Sequence, residues 1–238
     1  MPKNTFKYWQ QNRLHYVMNK RKVKACAYLN HYYRNITNLI KYGFSAPRFY
    51  ELIWLHPKKC SMLLPFNALK NLFGAKDIIE ISGLVIQAQW PFEAAVPISA
   101  DRRIKICMEH WVNGLSWEET GVYEYEKKLL EKEGYTGRYK NMSEVKKRYE
   151  NLDLIFEQVN LEGRLKTAEE LQPGQDQRRG ETFFHIGPNG EPFWGGGGAN
   201  HRFAIAYILR VPLAVRVGCV HVSAIPYLDQ YRMQLPTS

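Results

Sequence analysis

The sequence has no run of about 18 apolar residues, the length that crosses a bilayer. Its first thirty residues also lack the uninterrupted apolar stretch of roughly 7 to 15 residues that a secretory signal uses. A soluble, cytoplasmic protein is therefore expected. Cysteine is scarce: Cys26, Cys60, Cys107 and Cys219 lie far apart with no C-x-x-C pair. That spacing speaks against a disulfide framework and a thiolate zinc site, and the four read as ordinary thiols. The histidines show no metal-ligand spacing either, so His185 and His221 read as core or edge residues. No repeat of fixed period occurs, and the only low-complexity tract is four glycines, Gly195 to Gly198. Acids are missing from one region. Residues 1 to 60 hold twelve Lys and Arg and the single acid Glu51, a net of +11 in a chain of net +10. The remaining 178 residues carry 21 basic and 22 acidic groups, a nearly neutral body behind a basic head.

What is present is ordinary for a globular chain of 238 residues: 45% hydrophobic and 24% charged, which excludes disorder, collagen-like repeats and coiled coil. Apolar residues and rings recur at three and four over residues 5 to 42, predicting a helix that Tyr42-Gly43 stops. Phe49 to Leu55 reads as a strand, Asp101 to Val112 as a helix, and Ser116-Trp117-Glu118-Glu119 as a capping box opening a further helix to about Glu133. Ser143 to Leu161 is predicted to be a long amphipathic helix with Val145, Tyr149, Leu152, Ile155, Phe156 and Val159 on one face, closed by Gly163. From Thr182 the period becomes strand-like. Thr182 to Ile186 and Glu191 to Trp194 flank the turn Pro188-Asn189-Gly190; Ala199 to Arg210 is helical, and Leu213 to His221 is a closing strand. The expected class is α+β, a small mixed sheet with helices plus a mainly helical N-terminal and inserted region. The expected divisions are a basic aromatic helical region (1–48), a candidate first strand (49–60), a helical insertion (61–140), the α+β domain (141–226) and a tail (227–238).

Phe193-Trp194-Gly195-Gly196-Gly197-Gly198-Ala199-Asn200-His201-Arg202-Phe203 joins a predicted strand to a predicted helix. Four glycines remove every Cβ where backbone N–H groups converge on a helix N-terminus, a place that binds anions and phosphate above all. His201 and Arg202 in the first turn add donors, and a planar guanidinium suits a di- or triphosphate. The plainer alternative is a tight corner with Arg202 in solvent.

The run GGGGANHRFAIAYILRVPLAVRVGCVH resembles the ParB/sulfiredoxin superfamily, whose members carry a strand, a Gly-rich loop with an HR or RR pair, a helix and a closing strand. The resemblance covers residues 182 to 221 and extends loosely over LDLIFEQVNLEGRL in the preceding helix. It implies a nucleotide held by its phosphates, whether ATP, ADP or CTP, with Mg²⁺ brought by the nucleotide. Gly196, Gly197 and Gly198 would be backbone donors and His201 and Arg202 side-chain contacts, with Gly195 and Asn200 in the same candidate cofactor-binding set. Sulfiredoxin carries its nucleophilic cysteine where this chain has Asn200, so sulfinic acid reduction is not expected. The GERRxRA motif of ParB is only approximated, and with 17 residues after His221 no helix-turn-helix DNA reader is expected. For phosphoryl transfer or hydrolysis the candidate bases are Glu162 and Glu51, both on elements the family places near the nucleotide. The competing function is a binding module for nucleotide or nucleic acid without turnover, partition-like or regulatory. The basic head, with rings such as Phe6, Tyr8, Trp9, Tyr16 and Tyr28 among its cations, is a candidate surface for nucleic acid or another polyanion. Rings at helical spacing also serve simply as core.

Overall fold

The structure, a computed structural model, describes residues 32–174, 180–196 and 198–232. A seven-stranded mixed sheet lies at its centre, built from β1 (Leu52–Leu55), β2 (Met62–Leu63), β3 (Val85–Ile86), β4 (Val96–Pro97), β5 (Thr182–Ile186), β6 (Pro192–Gly196) and β7 (Leu213–His221). The order is β1-β7-β5-β6-β2-β4, and β3 pairs with the far end of β7 on the edge that β1 occupies nearer its start. β5 and β7 are parallel and almost wholly buried, which is why apolar residues occupy both faces of each.

Eight helices occur among the described residues: α1 (32–42), α2 (Phe66–Phe73), α3 (Arg102–Trp111), α4 (Val122–Glu133), α5 (Met142–Glu162), α6 (Ala168–Leu171), α7 (Asn200–Leu209) and α8 (Leu228–Arg232). Side-chain alternation gives the sheet two cores. Phe184, Ile186, Val215 and Val217 meet Phe203 of α7, Ile104 of α3 and Tyr149 of α5 on one face. Phe183, Phe193 and Cys219 meet Leu64, Leu69, Ile81 and Trp90 on the other.

The mixed sheet with helices agrees with the expected class, and the predicted β5, β7 and hairpin turn fall where the sequence placed them. Two boundaries move for local reasons and one predicted span changes character. Tyr50 adopts a left-handed backbone (φ 62°), so the first strand starts only at Leu52. The Ser116 capping box forms, with Ser116 N–H donating to Glu119 Oε2 at 2.8 Å, but left-handed Gly121 (φ 71°) interrupts the chain and α4 starts after it. Residues 61–140 are not all helical. Their first part supplies β2, β3, β4 and α2, which extend the sheet and build the second core, while helix begins again at Asp101, whose side chain caps Arg103 and Ile104. Two-residue strands are too short to show alternation, so nothing in their own sequence announced them.

α5 starts on its Asn141 cap and ends at left-handed Gly163 (φ 66°). Of its predicted apolar face, Val145, Tyr149 and Val159 are buried, whereas Ile155 is exposed. Trp111 and Trp117 each donate an indole N–H to Asp153 of α5 at 2.9 Å, so one carboxylate ties α5 to α3 and to the turn before α4. Along α1, Tyr33, Ile36 and Ile40 are exposed rather than packed. The earlier part of the basic head lies outside the described residues. No described helix is long and apolar enough to cross a membrane.

Candidate functional site: the glycine run and the first turn of α7

The glycine run divides into two halves. Gly195 remains inside β6 and is buried, because the imidazole of His185 on β5 occupies the space where its Cβ would stand. Gly218 on β7 meets the same ring from the other side. The strand registers slip by one residue at both places, between Phe183 and Phe184 against β6 and between Phe184 and Ile186 against β7. These irregularities have the form of β-bulges, and glycine at each leaves room for the ring. The slip on β7 turns Cys219 N–H toward His185, and it donates to Nδ1 at 3.0 Å. Nδ1 is therefore unprotonated, and the proton sits on Nε2, which is buried without a partner among the described residues. Burial pushes the imidazole down to about 3, so it stays neutral.

Gly196 ends β6 in a left-handed conformation (φ 67°), and an added Cβ would meet nothing nearer than Asn200 Oδ1 at 3.9 Å. Gly197 lies outside the described residues. Gly198 (φ 133°) and Ala199 (φ 50°) carry the chain into α7, and Ala199 is one of three non-glycine residues with positive φ among the described residues. As the N-cap, Ala199 offers no side-chain acceptor; the first intrahelical bond runs from Phe203 N–H to Ala199 O at 3.2 Å. The N–H groups of Asn200, His201 and Arg202 thus head a helix with no side-chain cap, at its positive end. The corner is pinned from behind. Trp194 stacks on Phe203 at 4.3 Å and donates its indole N–H to Thr182 Oγ1 at 2.8 Å, and that hydroxyl donates to Gly196 O at 3.1 Å.

The two side chains of the His-Arg pair diverge. Arg202 reaches to the Lys166 carbonyl and to Glu181 Oε2 at 3.2 Å. Glu181 is buried, which raises its carboxyl, while the nearby Arg202 guanidinium lowers it; Ala168 N–H donates to its other oxygen. Arg202 therefore clamps the first turn of α7 to the segment after α5, and its Nε is buried without a partner among the described residues. His201 turns toward α5, where Arg148 Nη2 donates to its Nδ1 at 3.1 Å. Burial first, then Arg148 and Arg103, hold this imidazole down to about 3. Arg148 lies beside the rings of Tyr139 and Tyr149, at 5.3 and 5.4 Å, and 4.0 Å from Glu126. The uncapped turn thus has arginines from α5 and α3 beside it.

Arg148, Arg103 and Glu181 are the residues that sequence reasoning missed. Arg148 directly precedes Tyr149 on the apolar face of α5, so helical phase alone put it at the edge of the core. Glu181 stands at the entry to β5, a lone acid before an apolar strand. The acids expected as bases are engaged elsewhere. Glu162 accepts from Gln158 and Lys166, at 2.8 and 3.1 Å, and these bonds lower its carboxyl. Glu51 takes Arg232 at 2.6 Å and the Arg48 N–H at 2.9 Å. Among the described residues no three His, Cys, Asp or Glu side chains cluster as a metal-binding set. No family model, no curated protein and no solved structure matches the chain.

Proposed function

We propose that the chain is a nucleotide-binding protein of ParB/sulfiredoxin-like type, taking ATP, ADP or CTP by its phosphates at the first turn of α7. The observation that carries this reading is the combination of left-handed Gly196, Gly198 and Ala199 with an α7 N-terminus that no side chain caps. Such a corner offers convergent N–H groups and the positive end of a helix to an anion. Arg148, bonded to His201 in that turn, supplies a guanidinium beside it. In this reading Arg202 positions the turn through Glu181 rather than touching phosphate. Mg²⁺ would arrive on the nucleotide and neutralise its phosphate charge. Because Glu162 and Glu51 are held in other bonds, the proposal is one of binding, and turnover is assigned to no residue.

The test is a thermal-shift series with ATP, ADP and CTP, each with Mg²⁺, on the wild type and on Arg148→Gln. A ligand at a hundredfold excess over its Kd contributes about 2.7 kcal/mol, several degrees for a chain of this size. At least one nucleotide should raise the wild-type Tm, and Arg148→Gln should need more of it for the same rise. If no nucleotide moves the wild type, the proposal fails. A phosphate-release assay on the same samples reads turnover separately.

A further inference from the structure

The C-terminal end of α7, about 15 Å along the helix from its first turn, opens into a second feature that owes nothing to the glycine run. A cleft of about 690 Å³ lies between the end of α7, the end of α3 and the segment entering β2. Its apolar lining includes Met108, Val112, Tyr207 and Ile208, and its charged lining residues are Lys58 and Arg210. No acid lines it, and neither cation has an ion-pair partner among the described residues. The surplus positive charge is felt nearby: His56 is held below its ordinary value by burial and then by Lys58. Arg210 also occupies the left-handed position that closes α7 (φ 57°), where glycine is the common residue. A long cationic side chain thus stands over the cleft from a backbone position that disfavours it.

We infer that this cleft binds a small amphiphilic anion, an apolar chain or ring bearing one carboxylate-like head, with the body on Met108, Val112, Tyr207 and Ile208 and the head between Lys58 and Arg210. The volume falls within the range of small-ligand sites, and apolar walls with a few placed polar groups are their usual make-up. Two cations with neither an ion-pair partner nor an acid between them among the described residues set the sign of the head.

Octanoate and octyltrimethylammonium, matched in chain length and opposite in charge, are the probes, titrated calorimetrically into the full chain. Octanoate should bind at one site and the cationic probe should not. Arg210→Gly removes the cation at a backbone position glycine prefers, so its Tm should equal or exceed the wild type while octanoate affinity falls about tenfold. Lys58→Gln should give a similar loss, and Val112→Trp, filling the cleft from its rim, should abolish binding. The proposal is overturned if octanoate fails to bind the wild type. Equal binding of the two probes, or unchanged affinity in Arg210→Gly and Val112→Trp, would overturn it too. Binding only to vesicles of anionic lipid, with none of free octanoate, would assign the face to a membrane surface and equally refute the small-ligand proposal.

Discussion

Gly195 and Gly196 follow one another in β6, yet one is filled and the other open. A Cβ on Gly195 would collide with the ring of a buried histidine, whereas one on Gly196 would find ordinary space and only an unfavourable φ. The first glycine serves the sheet: with Gly218 it lets His185 sit inside two register slips and use the amide of Cys219. The second serves the corner, where the chain must turn left-handed to present uncapped N–H groups. A run of identical residues therefore carries two unrelated requirements, and only the outer part belongs to the proposed phosphate site.

Substitutions separate the two halves. The largest effect is expected from Gly195→Ala, about 3 kcal/mol of lost stability, since a buried ring must move. Combining it with His185→Ala should cost clearly less than the two single changes added together, because the clash disappears; additive costs in denaturant unfolding would refute the packing role. Next comes Arg202→Ala, about 2 kcal/mol, for it leaves Glu181 buried without its cation. If the guanidinium were in solvent instead, the change would be nearly silent in the same unfolding experiment.

Acid should act on the filled half as well. The folded-state value of His185 near 3 lies below the ordinary 6.5, so its contribution is complete above about pH 6.5 and is lost as pH falls toward 3. At pH 5 that loss is about 2 kcal/mol. His201, depressed in the same direction but partly accessible, adds a smaller share. A wild-type Tm flat from pH 7 to 5 would contradict both. The smallest effect belongs to the open half: Gly196→Ala should cost about 1 kcal/mol, from backbone strain alone, while weakening nucleotide binding. A loss as large as that of Gly195→Ala would erase the distinction.

Much of the fold was legible where elements are long. The α3 boundaries, the span of α5 from its apolar recurrence to Gly163, and the Val-rich β7 follow from period, capping and glycine signals. The two-residue strands β2, β3 and β4 were not, because they exist only through pairing with neighbours distant in sequence. The strand-to-helix corner at Gly195 to Asn200 was also legible. What lay behind it was hidden: that Gly195 belongs to His185 depends on a bulge between strands, and that Arg202 turns to Glu181 depends on where the segment after α5 passes. Arg148 enters only because α5 packs against α7, a tertiary fact.

The central claim, that phosphate is held at the first turn of α7, is tested most directly by following backbone amide resonances while the nucleotide that stabilises the chain is titrated in with Mg²⁺. The largest shifts should fall on the N–H groups of Gly198, Asn200, His201 and Arg202, with Cys219 and the filled half of the glycine run little changed. Saturable shifts centred elsewhere, or none at that turn, would contradict it.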